Sequence, residues 1–221
     1  MEQIDIGCEF DKKYCAFNKK YEYDFDNFWR WKIKVEKGDS HILDKSHFDE
    51  TYKKISTVLA GWRYPRGVNP ESKVWDNLKE SLWKISSDYD ILRNYSLLQL
   101  EEIDIDLLQK IWNQLSSIKQ ENGLSTDTPL IVSIGKPLML LWGQTTALDT
   151  RVRRTLSNDY SFSYMGFNRW TFKQWLYSLY LHSKFLKENP QLIDIIEKKS
   201  LEKHKVDQPI PYGSFLDIYF F

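Results

Sequence analysis

Lys136, Asp149, Arg151, Arg153 and Arg154 bring an amine, a carboxylate and three guanidinium groups into one stretch, SIGKPLMLLWGQTTALDTRVRRTL, residues 133–156. Lys136 stands in the most apolar run of the chain. An ammonium there must reach an edge, find a carboxylate or lower its pKa, because burying it unpaired is costly. A lysine held neutral in this way is the kind of amine that attacks an aldehydic carbon and forms a Schiff base. The bland alternative is a side chain that extends to solvent from a core helix. The neighbouring Pro137 lacks an N–H, so it leaves the backbone carbonyl one turn back, near Ser133, without its helical donor. Asp149 is first of all a helix N-cap, accepting N–H bonds from the residues two and three beyond it. The arginines behind it sit where free N–H groups and the helix dipole favour a phosphate. At helical spacing Arg151 and Arg154 share a face and Arg153 points away.

At Ala147-Leu-Asp-Thr-Arg-Val-Arg-Arg154 the chain resembles the helix-hairpin-helix DNA glycosylase superfamily, in which an apolar helix precedes an Asp that opens a basic helix. The resemblance covers residues 133–156. It implies that Asp149 is the essential carboxylate, activating the attacking group or stabilising an oxocarbenium ion, and that Lys136 is the candidate nucleophile. The pattern departs from the family at the hairpin, where Ile134-Gly135-Lys136 is the nearest text, and in the short separation of Lys136 from Asp149. The two could still meet. The six residues from Gln144 to Asp149 span up to about 20 Å, enough for the chain to fold back beside the helix.

Charge supports an anionic partner locally but not globally. The chain of 221 residues has 31 basic and 31 acidic side chains. Residues 136–187 nevertheless hold eight basic residues against Asp149 and Asp159, a local net of +6. Local field rather than total charge steers an encounter with a polyanion. Arg63 and Arg66 in the aromatic–basic loop GWRYPRG, and Arg169 in Asn168-Arg-Trp170, add cations beside rings of the type that stack on bases. The four histidines show no metal-ligand spacing, though His41 and His47 lie near Asp39, Asp44 and Asp49. Cys8 and Cys15 fit no zinc pattern and read as free thiols. No cofactor fingerprint is present.

The elements that must position these groups read as helices. Apolar stripes at three- to four-residue spacing predict helices from Asp44 or Ser46 to Gly61, from Ser72 through Trp83, over 91–100 after a polar break at 86–90, and from Asp104 to Gly123. They continue from Thr128-Pro129 through Trp142, over 151–156, from Thr171 to Asn189 and from Pro190 to Leu201. A last apolar segment spans 215–221. A short helix near Asp24 is suggested by Phe25, Phe28 and Trp29. Almost no alternating pattern occurs. The expectation is an all-α, single globular domain around a buried central helix (130–142). Residues 1–43 form an irregular N-terminal accessory region and residues 44–221 the helical domain.

With 42% hydrophobic and 15% aromatic residues, disorder is excluded. The polar N-terminus lacks a signal peptide's apolar core and no run is long enough for a bilayer. The chain therefore reads as soluble and cytoplasmic, without a membrane partner. Two functions follow: a glycosylase-like base-excision enzyme acting on DNA or other nucleic acid, or a non-catalytic helical binding or regulatory module.

Overall fold

Apolar residues recurring every third or fourth position draw this chain into helices that cover one another's faces. The computed structural model describes residues 12, 22–62, 64, 73–118, 131–159, 169–204 and 211–219. Among them there is no β-strand, and the all-α expectation holds. None of the described helices is long and apolar enough to cross a membrane.

Helix α1, Glu22–Glu36, is longer than the short helix expected near Asp24. Phe25, Phe28 and Trp29 on its inner face are buried and belong to the main core. This part of the 1–43 region is therefore built into the domain rather than appended to it. Lys32 shares that face and is only 5% exposed. Its ammonium pairs with Glu36 and donates to the Tyr89 hydroxyl at 2.6 Å. Tyr89 in turn lies 2.7 Å from Glu36 Oε1 and 3.1 Å from the Leu141 carbonyl. Burial lowers the Lys32 pKa, and the Glu36 charge opposes that shift.

Helix α2, Phe48–Gly61, packs on α1 and starts later than expected. Asp44 does not cap it. Its carboxylate accepts from the His41 N–H at 2.8 Å and pairs with His41 Nε2 at 2.9 Å, closing the preceding turn instead. Helices α3, Lys73–Lys84, and α4, Ser86–Leu92, meet at Ile85. The polar break expected at 86–90 is helical, because Ile85, Tyr89 and Leu92 keep helical spacing toward the core. The helix expected over 91–100 is not formed. The Asn94 side chain donates to the Asp90 carbonyl, a turn follows, and Leu97–Glu102 is a 3-10 helix with a Ser96/Gln99 capping box. Asp104 caps α5, Ile105–Ser116, through the Asp106 N–H at 2.9 Å. That helix stops short of Gly123, which lies outside the described residues, as do Ser72 and Thr128-Pro129.

The central helix is α6, Ile131–Leu141, buried except at Val132 and Lys136 and packed against α2 and α5. Pro137 lies inside it. The carbonyl that Pro137 leaves without a donor, Ser133, accepts the Tyr64 hydroxyl at 3.1 Å. After an irregular connection come α7, Thr150–Asp159, and α8, Phe172–Glu188. Thr171 and Gln174 form the capping box of α8. Helix α9, Pro190–His204, starts at its proline as expected. Helix α10, Tyr212–Tyr219, forms in the tail and begins three residues before its apolar segment 215–221. Trp112 and Trp175 stack at 5.4 Å and join α5 to α8.

Candidate functional site

The connection from α6 to α7 builds the site. Trp142 through Leu148 has no regular structure and is buried throughout. Such a segment must find partners for its own backbone. Gly143, at φ 74°, starts it, and its carbonyl accepts the Gly213 N–H at 2.8 Å. The Gln144 side chain accepts from the Leu97 N–H at 2.9 Å. Asp217 of α10 accepts from the Ala147 N–H at 2.7 Å. Gly135 of α6 lets the returning chain lie directly on the helix, since a Cβ there would stand 2.7 Å from the Ala147 carbonyl oxygen. The chain thus folds back beside α6, as its length allows.

Leu148 then takes the left-handed conformation at φ 51°, which costs a bulky residue free energy. That turn delivers Asp149 to the start of α7. The Asp149 carboxylate accepts from the Arg151 N–H at 2.8 Å and the Val152 N–H at 3.1 Å. Asp149 is the N-cap, half-buried at the site edge. Asp217 lies deeper, and burial is the largest cause pushing its carboxyl up to about 7. The Asp149 charge raises it further, while the Ala147 N–H and the Lys136 charge pull it down. Asp149 and Lys136 are therefore both near enough to act on one buried carboxyl group.

Lys136 is half-buried. Its ammonium donates to the Trp62 carbonyl at 2.9 Å and lies 5.9 Å from the Trp62 ring centroid, a cation–π distance. Among the described residues the deeply buried lysine is Lys32. The arginines separate as their spacing foretells. Arg151 and Arg154 are exposed, while Arg153 is buried, with Nε on the Leu148 carbonyl at 3.0 Å and Nη2 on the Thr150 hydroxyl at 3.3 Å. Arg153 braces the turn before α7 rather than facing outward. Arg169 is half-buried beside the fully buried Trp170. Arg63, Arg66, Cys8 and Cys15 lie outside the described residues.

Asp217 escaped the sequence reading. Its signal was a lone carboxylate inside the apolar tail SFLDIYFF, the same kind of mismatch that drew notice to Lys136. His182, buried on α8 with its pKa lowered to about 4 by desolvation, was also missed. Among the described residues no group of three or more His, Cys, Asp or Glu side chains is placed to hold a metal ion. Comparison with protein-family models, curated proteins and solved structures gave no match. The site thus rests on its own geometry: a carboxylate that caps the N-terminus of a basic helix, a buried carboxyl group on α10, and the Lys136 side chain turned to the Trp62 carbonyl.

Proposed function

We propose that this chain acts on nucleic acid as a DNA glycosylase-like base-excision protein in a cytoplasmic setting. The observation that supports this reading is the placement of Asp149. A buried, braced connection returns along the apolar helix and presents this carboxylate at the N-terminus of a helix whose first turns expose Arg151 and Arg154. In the hydrolytic course, water forms a bond to C1′ as the N-glycosidic bond breaks. The bond pair leaves with the base, which takes a proton from solvent, and Asp149 accepts the proton of the attacking water. In a lysine-first course, Lys136, once its ammonium has given a proton to solvent, bonds through Nζ to C1′ as the N-glycosidic bond pair leaves with the base, which takes a proton from solvent. Asp149 takes one amine proton, and the C1′–O4′ bond then breaks as nitrogen forms the C=N bond of the imine, the remaining N–H proton going to O4′. Arg151 and Arg154 contact phosphates, together with Arg63, Arg66 and Arg169, and Arg153 positions the turn. A base turned out of its stack would be received among aromatic side chains.

A second reading, a non-catalytic binding or regulatory module, has its own observation. Both cap bonds of Asp149 are the ordinary ones of a helix start, and Lys136 is engaged by the Trp62 carbonyl. Oligonucleotides carrying uracil, oxidised guanine or alkylated adenine separate the two. The enzyme reading expects alkali-labile abasic sites, lost by about a hundredfold or more in Asp149→Asn. It also expects borohydride trapping that disappears in Lys136→Met if the amine attacks first. Absence of abasic sites across all the lesions would leave the module reading.

A further inference from the structure

Helix α8 turns an aromatic and basic stripe outward. Lys173, Tyr177, Tyr180 and Lys184 recur at four-, three- and four-residue spacing, so they share one face. Trp175, Ser178, Leu179, His182, Ser183 and Leu186 hold the opposite face in the core. Tyr177 and Tyr180 are 46% and 47% exposed, and of the exposed rings among the described residues they are the two that share one helix face. The two rings run nearly parallel, 18° apart, with centroids 6.2 Å apart. Lysines stand at both ends of the pair. They are eleven positions apart on the helix, about 16 Å along the axis. Lys184 shares its charge with Glu188 at 3.7 Å, both ends being about half exposed, so the pair is loose. Lys173 is exposed.

We propose that this face of α8 binds single-stranded nucleic acid, with successive bases stacked on Tyr177 and Tyr180 and the flanking phosphates on Lys173 and Lys184. The ring spacing is wider than the rise of about 3.4 Å between stacked bases of a duplex. It suits bases drawn apart in an extended strand, each with a ring to lie on. Aromatic platforms edged by cations are how proteins hold single strands without reading sequence. A rigid duplex keeps its bases inside and offers this stripe phosphates only. The proposal shares with the preceding section the expectation of a nucleic-acid partner, but it needs neither Asp149 nor catalysis.

Fluorescence anisotropy with labelled oligo(dT), against a hairpin duplex of equal charge, tests it at low salt. The single strand should bind more tightly than the duplex, and more weakly as salt rises. Replacing both rings, Tyr177→Ala with Tyr180→Ala, should weaken oligo(dT) binding about tenfold or more. Tyr177→Phe with Tyr180→Phe should retain it. Thermal melting of these surface variants should match the parent, so a lost fold is not mistaken for a lost site. Equal affinity for strand and duplex, unmoved by the alanine pair, would overturn the proposal. So would failure to bind oligo(dT) together with self-association in sedimentation that the alanine pair abolishes, since the face would then be a protein contact. Strand binding without base excision sinks only the earlier reading, and excision without ring-dependent binding sinks only this one.

Discussion

Burial acts in opposite senses on Asp217 and His182, and the pH dependence of stability should show it. Asp217 has its folded pKa raised from 3.8 to about 7. Its contribution to stability is complete below the unfolded value and is lost as pH rises through 7. His182 has its pKa lowered from 6.5 to about 4. Its contribution is complete above the unfolded value and is lost as pH falls through 4. Each slope is about 1.4 kcal/mol per pH unit. Between about pH 4 and 6.5 the two oppose each other, so the parent should have a shallow profile there. Asp217→Asn, which keeps an acceptor for the Ala147 N–H, should leave stability rising with pH in this window, and His182→Leu should leave it falling. Parallel profiles for the two variants in urea titrations would contradict the assignment. Because the Asp149 charge raises the Asp217 pKa and the Lys136 charge lowers it, Asp149→Asn and Lys136→Met should move the alkaline limb in opposite directions. Lys136 was legible in the sequence as a cation in an apolar run. Lys32 was not, since α1 mixes charges and rings, and only the packing of Tyr89 and Glu36 around it shows that its face turns inward.

The Tyr64 hydroxyl occupies the gap that Pro137 opens in α6, so the two residues should be coupled. Tyr64→Phe removes the donor from the buried Ser133 carbonyl, at a cost of about 1–3 kcal/mol. In a Pro137→Ala background the new amide can reach that carbonyl, and Tyr64→Phe should then cost less. Additivity within about 0.5 kcal/mol in denaturant unfolding would show that the carbonyl is not their common partner. The freed carbonyl was readable from Pro137 alone, but its donor was not, being 69 positions away in sequence. Helix starts were readable where a side chain has one local task, as at Asp104, Thr171 and Pro190. They were misread where a polar residue was drawn elsewhere, as Asp44 is by His41. Polar residues on the outer side of α4 hid a short helix whose apolar side was only Tyr89 and Leu92.

At the scale of the whole molecule, α1 is a structural member of the helical domain. Phe28 and Trp29 lie in the core, and the Lys32–Glu36–Tyr89 cluster ties α1 to α4 and to the last turn of α6. A fragment of residues 44–221 should therefore not fold cooperatively. It would expose the core face that α1 covers and leave the Tyr89 hydroxyl without its charged partners. A fragment with the parent's thermal transition would restore the view of 1–43 as an appendage. The helical class was legible because periodicity survives without knowledge of partners. The place of α1 was not, because its stripe is short and carries a lysine.

The connection between α6 and α7 has a consequence in time. Irregular segments usually open on their own, and their amide hydrogens exchange with solvent quickly. Here the Ala147 amide is held by Asp217, the Gly213 amide by the Gly143 carbonyl and the Leu97 amide by Gln144. All three lie against a connection that is buried from end to end. In deuterium exchange these amides should follow the slowest class, with α6, and should speed up with denaturant as steeply as global unfolding does. Asp149 would then ride on a part of the protein that keeps its shape for as long as the molecule stays folded. A ligand that meets its carboxylate would then have to adapt its own geometry to a loop that stays closed.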